Sequence, residues 1–252
     1  MRYFITLSYN GTAYNGWQIQ PNAPSVQQTL QQALSTILRT PLEVVGAGRT
    51  DTGVNASCMV AHFEYAPSLS TDDLTQLRYK LNKFLPADIA IRSIQKVASD
   101  MHARFNATSR TYHYYITTEK SPFEPFAYYF PQQLDFQLMN EACKLLLTTS
   151  DFTSFAKLHT DTKTNLCTVT EAYWHSLSPT KWEFTITANR FLRNMVRAIV
   201  GTLLDVGRGV ITLQQFQQII DNKNRCSAGN SVPGHALFLA DIQYPPLNVH
   251  NP

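Results

Sequence analysis

The run Gly46-Ala47-Gly48-Arg49-Thr50-Asp51-Thr52-Gly53-Val54 sets one carboxylate on a glycine-hinged turn, two residues from an arginine. Glycines 46, 48 and 53 permit backbone angles that other residues resist, so the chain can turn sharply there and let a ligand come close. Arg49 is always charged and would hold Asp51 ionised where the two side chains converge. An ionised, positioned carboxylate attacks carbon or accepts a proton. Three plainer readings compete. An Asp in such a turn commonly just hydrogen-bonds its own backbone. A phosphate cradle fits poorly, because the spacing is not G-x-x-x-x-G-K-[ST] and Ser57–Phe63 reads as a strand, which leaves no helix N-terminus for an anion. Asp51-Thr52-Gly53 is also the tripeptide of aspartic peptidases, but that chemistry needs two carboxylates sharing one proton, and the chain contains no second copy.

A chain of 252 residues with 44% hydrophobic content can bury a core as one large domain or two small ones. No apolar run approaches the roughly 20 residues that span a bilayer, and the sequence opens on a strand-like segment rather than a signal peptide. The expectation is a cytoplasmic protein with no membrane association. Cys58, Cys143, Cys167 and Cys226 are far apart and without clustered histidines, so they read as buried thiols, with neither a disulfide framework nor a metal site. A net charge of +3 is too small to prove a nucleic-acid partner. Its distribution is more telling. Arg190, Arg193 and Arg197 recur at i, i+3 and i+7, the spacing of one helical face, and Lys223 and Arg225 sit in a polar loop. The ordinary explanation of such a run is a solvated face. Aromatic residues make up 12% of the chain and include Tyr112-His113-Tyr114-Tyr115. Rings interleaved with arginines are what unpaired bases stack upon, although most of these tyrosines are expected to be packing residues.

The elements that must carry these groups follow from periodicity. Tyr3, Ile5, Leu7 and Tyr9 alternate as in a half-buried strand. Ser25 with Gln28 forms a capping-box pattern ahead of the stripe Val26, Leu30, Ala33, Leu34, Ile37 and Leu38. Strands over about 42–47 and 56–65 bracket the Asp51 loop. A helix opening at Ser70, with Asp73 in the reciprocal position, is expected to bury Leu74, Leu77, Leu81 and Phe84 and to stop before Pro86. A strand over 89–97 closes this first part. The same order recurs: a strand over 108–118, a helix carrying Leu138, Ala142, Leu145 and Leu146, strands over 168–176 and 181–188, a helix over 191–206 and a strand over 236–244. Two successive βαββαβ units predict an α+β protein of two ferredoxin-like halves, residues 1–100 with the Asp51 loop and residues 101–252. Their sheets are expected side by side as a mixed or antiparallel central sheet flanked by helices.

Several segments, in order along essentially the whole chain, resemble the A-type tRNA pseudouridine synthases. They are Tyr9-Asn10-Gly11-Thr12 with Gly16-Trp17-Gln18, Gly48–Val54, Phe105–Tyr114, Asp151–Phe155, Ala188–Gly201 and Leu237-Phe238-Leu239. The resemblance implies an isomerase that converts uridine to pseudouridine at positions 38–40 of the tRNA anticodon stem-loop, without cofactor or metal. It also implies a homodimer with basic clefts for the RNA. Asp51 then resembles the catalytic aspartate, Tyr112 the tyrosine that packs on the target base, and Arg197 the arginine paired with the aspartate. Arg49 resembles an RNA contact or a brace for the turn. Leu237 or Leu239 would supply an apolar wall, and Arg190, Arg193, Lys223 and Arg225 would hold the RNA backbone. Two positions depart from the family pattern: Asn55 stands where members commonly carry His, and Ala236 where they carry Gly. A non-catalytic RNA-binding module is the alternative that the βαββαβ order encourages, against which the chain lacks the [KR]-G-[FY]-[GA]-F-V-x-[FY] signature.

Overall fold

In the computed structural model, residues 1–157 and 163–246 are described. The chain is α+β, as its periodicity predicts, and its contacts divide it into two compact units, Met1–Thr108 with the chain from Leu239 onward, and Ser109–Phe238.

The first unit runs β1 (Arg2–Tyr9), α1 (Val26–Leu38), β2 (Val44–Gly46), β3 (Asn55–Glu64), α2 (Thr71–Phe84) and β4 (Ile89–Val97). β1 lies between β4 and β3, antiparallel to both, and β2 pairs with β3. This central place explains why Tyr3, Phe4, Ile5, Leu7 and Tyr9 are all buried: a strand flanked on both edges and covered loses water from both faces. α2 opens with the full capping box, Ser70 Oγ accepting from the Asp73 N–H while the Asp73 carboxylate accepts from the Ser70 N–H. α1 forms only half of its box, Ser25 accepting from the Gln28 N–H. The stripe of α2 is narrower than its spacing predicts. Leu77 and Leu81 are buried, but Phe84 at the last turn is 55% exposed, and Leu85 takes the inward place where the chain leaves helical geometry.

The second unit runs β5 (Ser109–Thr117), β6 (Tyr128–Tyr129), α3 (Phe136–Thr148), β7 (Val169–Ser178), β8 (Lys181–Ala188), α4 (Met195–Gly207) and α5 (Leu213–Asp221). β8 is antiparallel to β5 on one side and β7 on the other, and β6 adds in parallel to β5. α3 buries Met139, Ala142, Cys143 and Leu146, a face rotated from the predicted Leu138 and Leu145, which are only half-buried. The periodic pattern 191–206 overstates α4. Its first four residues are irregular, because Asn194 adopts left-handed angles (φ 66°, ψ 1°) and the helix begins after it. From Met195 the helix is enclosed nearly all round, consistent with its apolar composition. α5, unforeseen in the sequence, has a capping box from Thr212 and Gln215 and buries Phe216, Ile219 and Ile220. The final strand, β9 (Leu237–Gln243), adjoins β3 through its residues from Leu239 on.

Of the cysteines, Cys143 and Cys167 are buried and Cys58 is half-buried, but Cys226 is exposed, contrary to the expectation of four buried thiols. Burial pushes the Cys167 thiol up to about 11. Among the described residues, no helix is long and apolar enough to cross a membrane.

Candidate active site

The Asp51 turn is held from the end of β1 and the segment that follows it. Tyr9 shares a 2.8 Å hydroxyl–hydroxyl hydrogen bond with Thr50. The Gly11 N–H donates to Asn55 Oδ1 at 2.8 Å, the Trp17 N–H to the Thr50 carbonyl at 3.2 Å, and the Gly53 N–H to the Tyr14 carbonyl at 3.3 Å. Within the turn, the Val54 N–H closes onto the Asp51 carbonyl at 3.1 Å. Thr50, Val54 and Asn55 are buried, Asp51 is half-buried and Arg49 is exposed, so the backbone on either side of the carboxylate is fixed while Asp51 itself reaches the surface.

Contact is close enough to demand glycine on the bracing segment. A Cβ on Gly11 would lie 2.0 Å from the Val54 carbonyl oxygen, and one on Gly16, which has φ +90°, 2.2 Å from the Thr50 carbonyl oxygen. The three glycines of the turn are not equivalent. Gly53 has a left-handed φ of +74°, Gly46 accommodates the Trp17 indole at 2.5 Å from its missing Cβ, and Gly48 has neither restriction. The predicted backbone role therefore holds for Gly53 and is replaced at Gly46 by packing. Asn55, the departure from the family pattern, is 1% exposed and is itself the acceptor that fastens Gly11. Arg49, two residues before Asp51, is exposed.

In the second unit, β5 alternates so that Arg110, Tyr112, Tyr114 and Ile116 share one face. Tyr112 is half-buried and meets the edge of Phe191, ring centroids 5.0 Å apart at 84°. Arg110 donates to the Asn189 carbonyl at 2.9 Å, and the Asn189 side chain accepts from the Thr168 N–H. Arg110 thus fastens the loop that carries Arg190, Phe191 and Arg193. It was not among the residues singled out from the sequence, although its i, i+2 relation to Tyr112 was available there. Tyr114 is fully buried and donates to the Pro233 carbonyl at 3.1 Å, and burial pushes its phenol well above the usual range.

Arg197 lies in the first turn of α4. Its Nε–H donates to the Val232 carbonyl at 2.7 Å, and its own carbonyl accepts from the Val232 N–H at 3.2 Å. Arg190 and Arg193 precede the helix, so the single face expected from their spacing does not form; Asn194, a residue type that tolerates left-handed angles, turns the chain between them and Arg197. Arg190 is half-buried and Arg193 exposed. Two further cations assigned to RNA are engaged elsewhere. Lys223 pairs with Asp151 at 2.9 Å, and Arg225 donates to the carbonyls of Ala228 and Gly229 and to Ser231 Oγ. The Asp151–Phe155 motif is accordingly structural: Asp151 Oδ1 caps Thr153, and Ser154 Oγ donates to Ile219 and accepts from the Asn224 N–H. Leu237 is 5% exposed where β9 begins, after a short 3-10 turn that buries Ala236.

A family model described as tRNA pseudouridine synthase matches residues 5–106 and 142–245. The chain is 57% identical over 245 residues to the tRNA pseudouridine synthase A of Parabacteroides distasonis, covering 97% of this chain and 96% of that protein. It is 56% identical over 246 residues to the protein so named in Bacteroides fragilis, with the same coverage. At greater distance it is 38% identical over 249 residues to that of Bacillus subtilis, covering 97% and 99% of the two chains. By these matches, spread over both units, the chain belongs to the tRNA pseudouridine synthase family.

Proposed function

We propose that the protein isomerises uridine to pseudouridine in tRNA, at positions 38–40 of the anticodon stem-loop, with Asp51 as the reacting carboxylate. The observation that carries the assignment of Asp51 is the fixed turn: five hydrogen bonds, three to its backbone and two to the Thr50 and Asn55 side chains, hold the segment from Thr50 to Asn55, which presents one half-buried carboxylate. The reaction breaks the C1′–N1 glycosidic bond, turns the uracil and rejoins it through C5. It is redox-neutral and moves no phosphate, so side chains suffice. Asp51 either attacks C1′ to give a covalent sugar adduct or removes the C2′ proton to give a glycal.

Tyr112 stacks on the detached uracil and keeps it beside the sugar, its ring set by the edge contact with Phe191. Arg197 supplies the guanidinium that offsets the cost of a carboxylate in a site closed by RNA. Leu237 is assigned an apolar contact with the base. Arg49, Arg190 and Arg193 are assigned to phosphates, and the target nucleotide leaves its stack to reach the carboxylate. The protein acts as a homodimer in the cytoplasm.

Release of tritium from tRNA labelled at uridine C5 tests the assignment. Asp51→Asn is expected to abolish release while tRNA binding persists, and wild-type release by that variant sinks the mechanism. Binding without release by the native protein would instead favour a non-catalytic RNA-binding module, and cleavage of peptides at acid pH an aspartic peptidase. Mapping pseudouridine in a whole tRNA pool checks the positions, and sedimentation equilibrium checks the dimer.

A further inference from the structure

Before reaching β9 the chain crosses α4 as a strap, residues 228–233, and the crossing is tight. A Cβ on Gly201 would lie 1.8 Å from the Asn230 carbonyl oxygen, and one on Gly229 3.0 Å from the Thr202 Cα. The Gly229 N–H donates to Thr202 Oγ1 at 3.0 Å, and that hydroxyl donates in turn to the Ala198 carbonyl within the helix. Arg225 grips the strap from outside, one terminal nitrogen on the Ala228 and Gly229 carbonyls and the other on Ser231 Oγ at 2.9 Å. Ser231 Oγ also accepts from Asn194 Nδ2 at 2.6 Å. Asn194 occupies the N-cap of α4 yet makes no cap to its own helix, so its side chain is committed to the strap. One residue further on, Val232 exchanges its N–H and carbonyl with Arg197, the carbonyl receiving the Nε–H.

A guanidinium is planar, so a fixed acceptor at Nε sets the direction in which its two terminal nitrogens point. The position of the Val232 carbonyl therefore aims Arg197, and the grip of Arg225 and Asn194 on Ser231 fixes that carbonyl. We infer that Arg225 and Ser231 are positioning residues for uridine isomerisation, acting through the Val232 carbonyl on Arg197. The inference rests on the proposed role of Arg197, and it reassigns Arg225 from an RNA contact to a brace.

Arg225→Lys keeps the charge but cannot reach two carbonyls and a hydroxyl from two separate nitrogens. Displacements of about 1 Å at a reacting group cost on the order of 100-fold in rate. The turnover number of Arg225→Lys is therefore expected to fall about 10- to 100-fold, with the Kd for tRNA within about twofold of wild type. Ser231→Ala, which removes a single hydroxyl and preserves packing, is expected to change turnover in the same direction and serves if Arg225→Lys does not fold. In an Arg197→Lys background, which has no Nε–H to offer Val232, Arg225→Lys is expected to cost under about twofold more.

Wild-type turnover by both Arg225→Lys and Ser231→Ala, while Arg197→Lys and Arg197→Met are impaired, overturns the positioning inference alone. So does an undiminished loss in the Arg197→Lys background, or an Arg225→Gln variant that weakens tRNA binding and flattens its salt dependence with turnover intact, the signature of a phosphate contact. Wild-type turnover by Arg197→Met removes the proposed role of Arg197 and this inference with it.

Discussion

Gly11→Ala is expected to damage catalysis from a position that bears no reactive group. The new methyl would start 2.0 Å from the Val54 carbonyl oxygen, whereas Cβ contacts below 3.0 Å are essentially never seen. Relief therefore requires a shift of roughly 1 Å, and the atom in the way is main chain rather than the tip of a flexible side chain. Val54 ends the turn closed by its N–H on the Asp51 carbonyl, so the movement is delivered to the carboxylate. It also strains the Gly11 N–H bond to Asn55 in a buried setting. Overpacking of this kind costs about 1–3 kcal/mol in stability. A 1 Å error at the reacting group corresponds to about 100-fold in turnover.

Gly48→Ala is the internal control: its Cβ meets nothing within 4 Å and its φ is ordinary, so thermal stability is expected to stay within about 0.5 kcal/mol of wild type. Tritium release under saturating tRNA gives turnover, and a urea titration gives stability. A Gly11→Ala enzyme that is destabilised yet turns over like wild type would refute the link from the 11–17 segment to Asp51. A Gly48→Ala enzyme as unstable as Gly11→Ala would refute the reading of the turn itself.

Three further outcomes follow from the geometry. Tyr112→Phe keeps the ring and its contact with Phe191. Slower tritium release at unchanged tRNA affinity is expected if the hydroxyl serves in removing the C5 proton, and an unchanged rate rejects that role. His62 is buried, accepts the Ala103 N–H at its Nδ1, and is lowered to about 4, first by burial and then by His102 and Arg2. The unfolded chain therefore binds a proton below about pH 6.5 that the folded chain refuses, and stability present above that pH is lost as pH falls toward 4, by about 2–3 kcal/mol. His62→Asn, whose Oδ1 replaces the acceptor without titrating, is expected to flatten that slope in melts between pH 7 and 4; an unchanged slope refutes the assignment. Ser70→Ala removes the side-chain half of the α2 cap and is expected to cost about 1 kcal/mol in urea titration with turnover untouched.

The Asp51 turn and both strand–helix patterns were legible because each is encoded locally: glycine spacing, alternation and caps act within a few residues. Much of what escaped depends on partners distant in sequence, and the rest on loop conformation or a short stripe. Arg190, Arg193 and Arg197 have helical spacing, but nothing in their order reveals that Asn194 turns left-handed to send its amide to Ser231. Gly46 looks like a hinge until Trp17 is laid against it. Lys223 and Arg225 read as surface cations because their carboxylate and carbonyl acceptors cannot be inferred from an isolated polar loop. α5 was missed since its nine residues are rich in glutamine and show only a short apolar stripe. Arg110 was passed over as an ordinary strand residue, its acceptor lying 79 positions away.

Three of the hydrogen bonds that hold the 50–54 turn run from main chain to main chain: Trp17 to Thr50, Gly53 to Tyr14 and Val54 to Asp51. Bonds of that type carry no side-chain identity, so exchange of amino acids at Thr12, Ala13 or Asn15 leaves them standing. A one-residue insertion or deletion between positions 11 and 17 would put the bonds on its two sides out of phase with each other, so that the Gly11, Tyr14 and Trp17 contacts could no longer all form together. In a mutational library positions 12, 13 and 15 should accept many letter changes, Gly11 and Gly16 few, and the stretch as a whole almost no length changes.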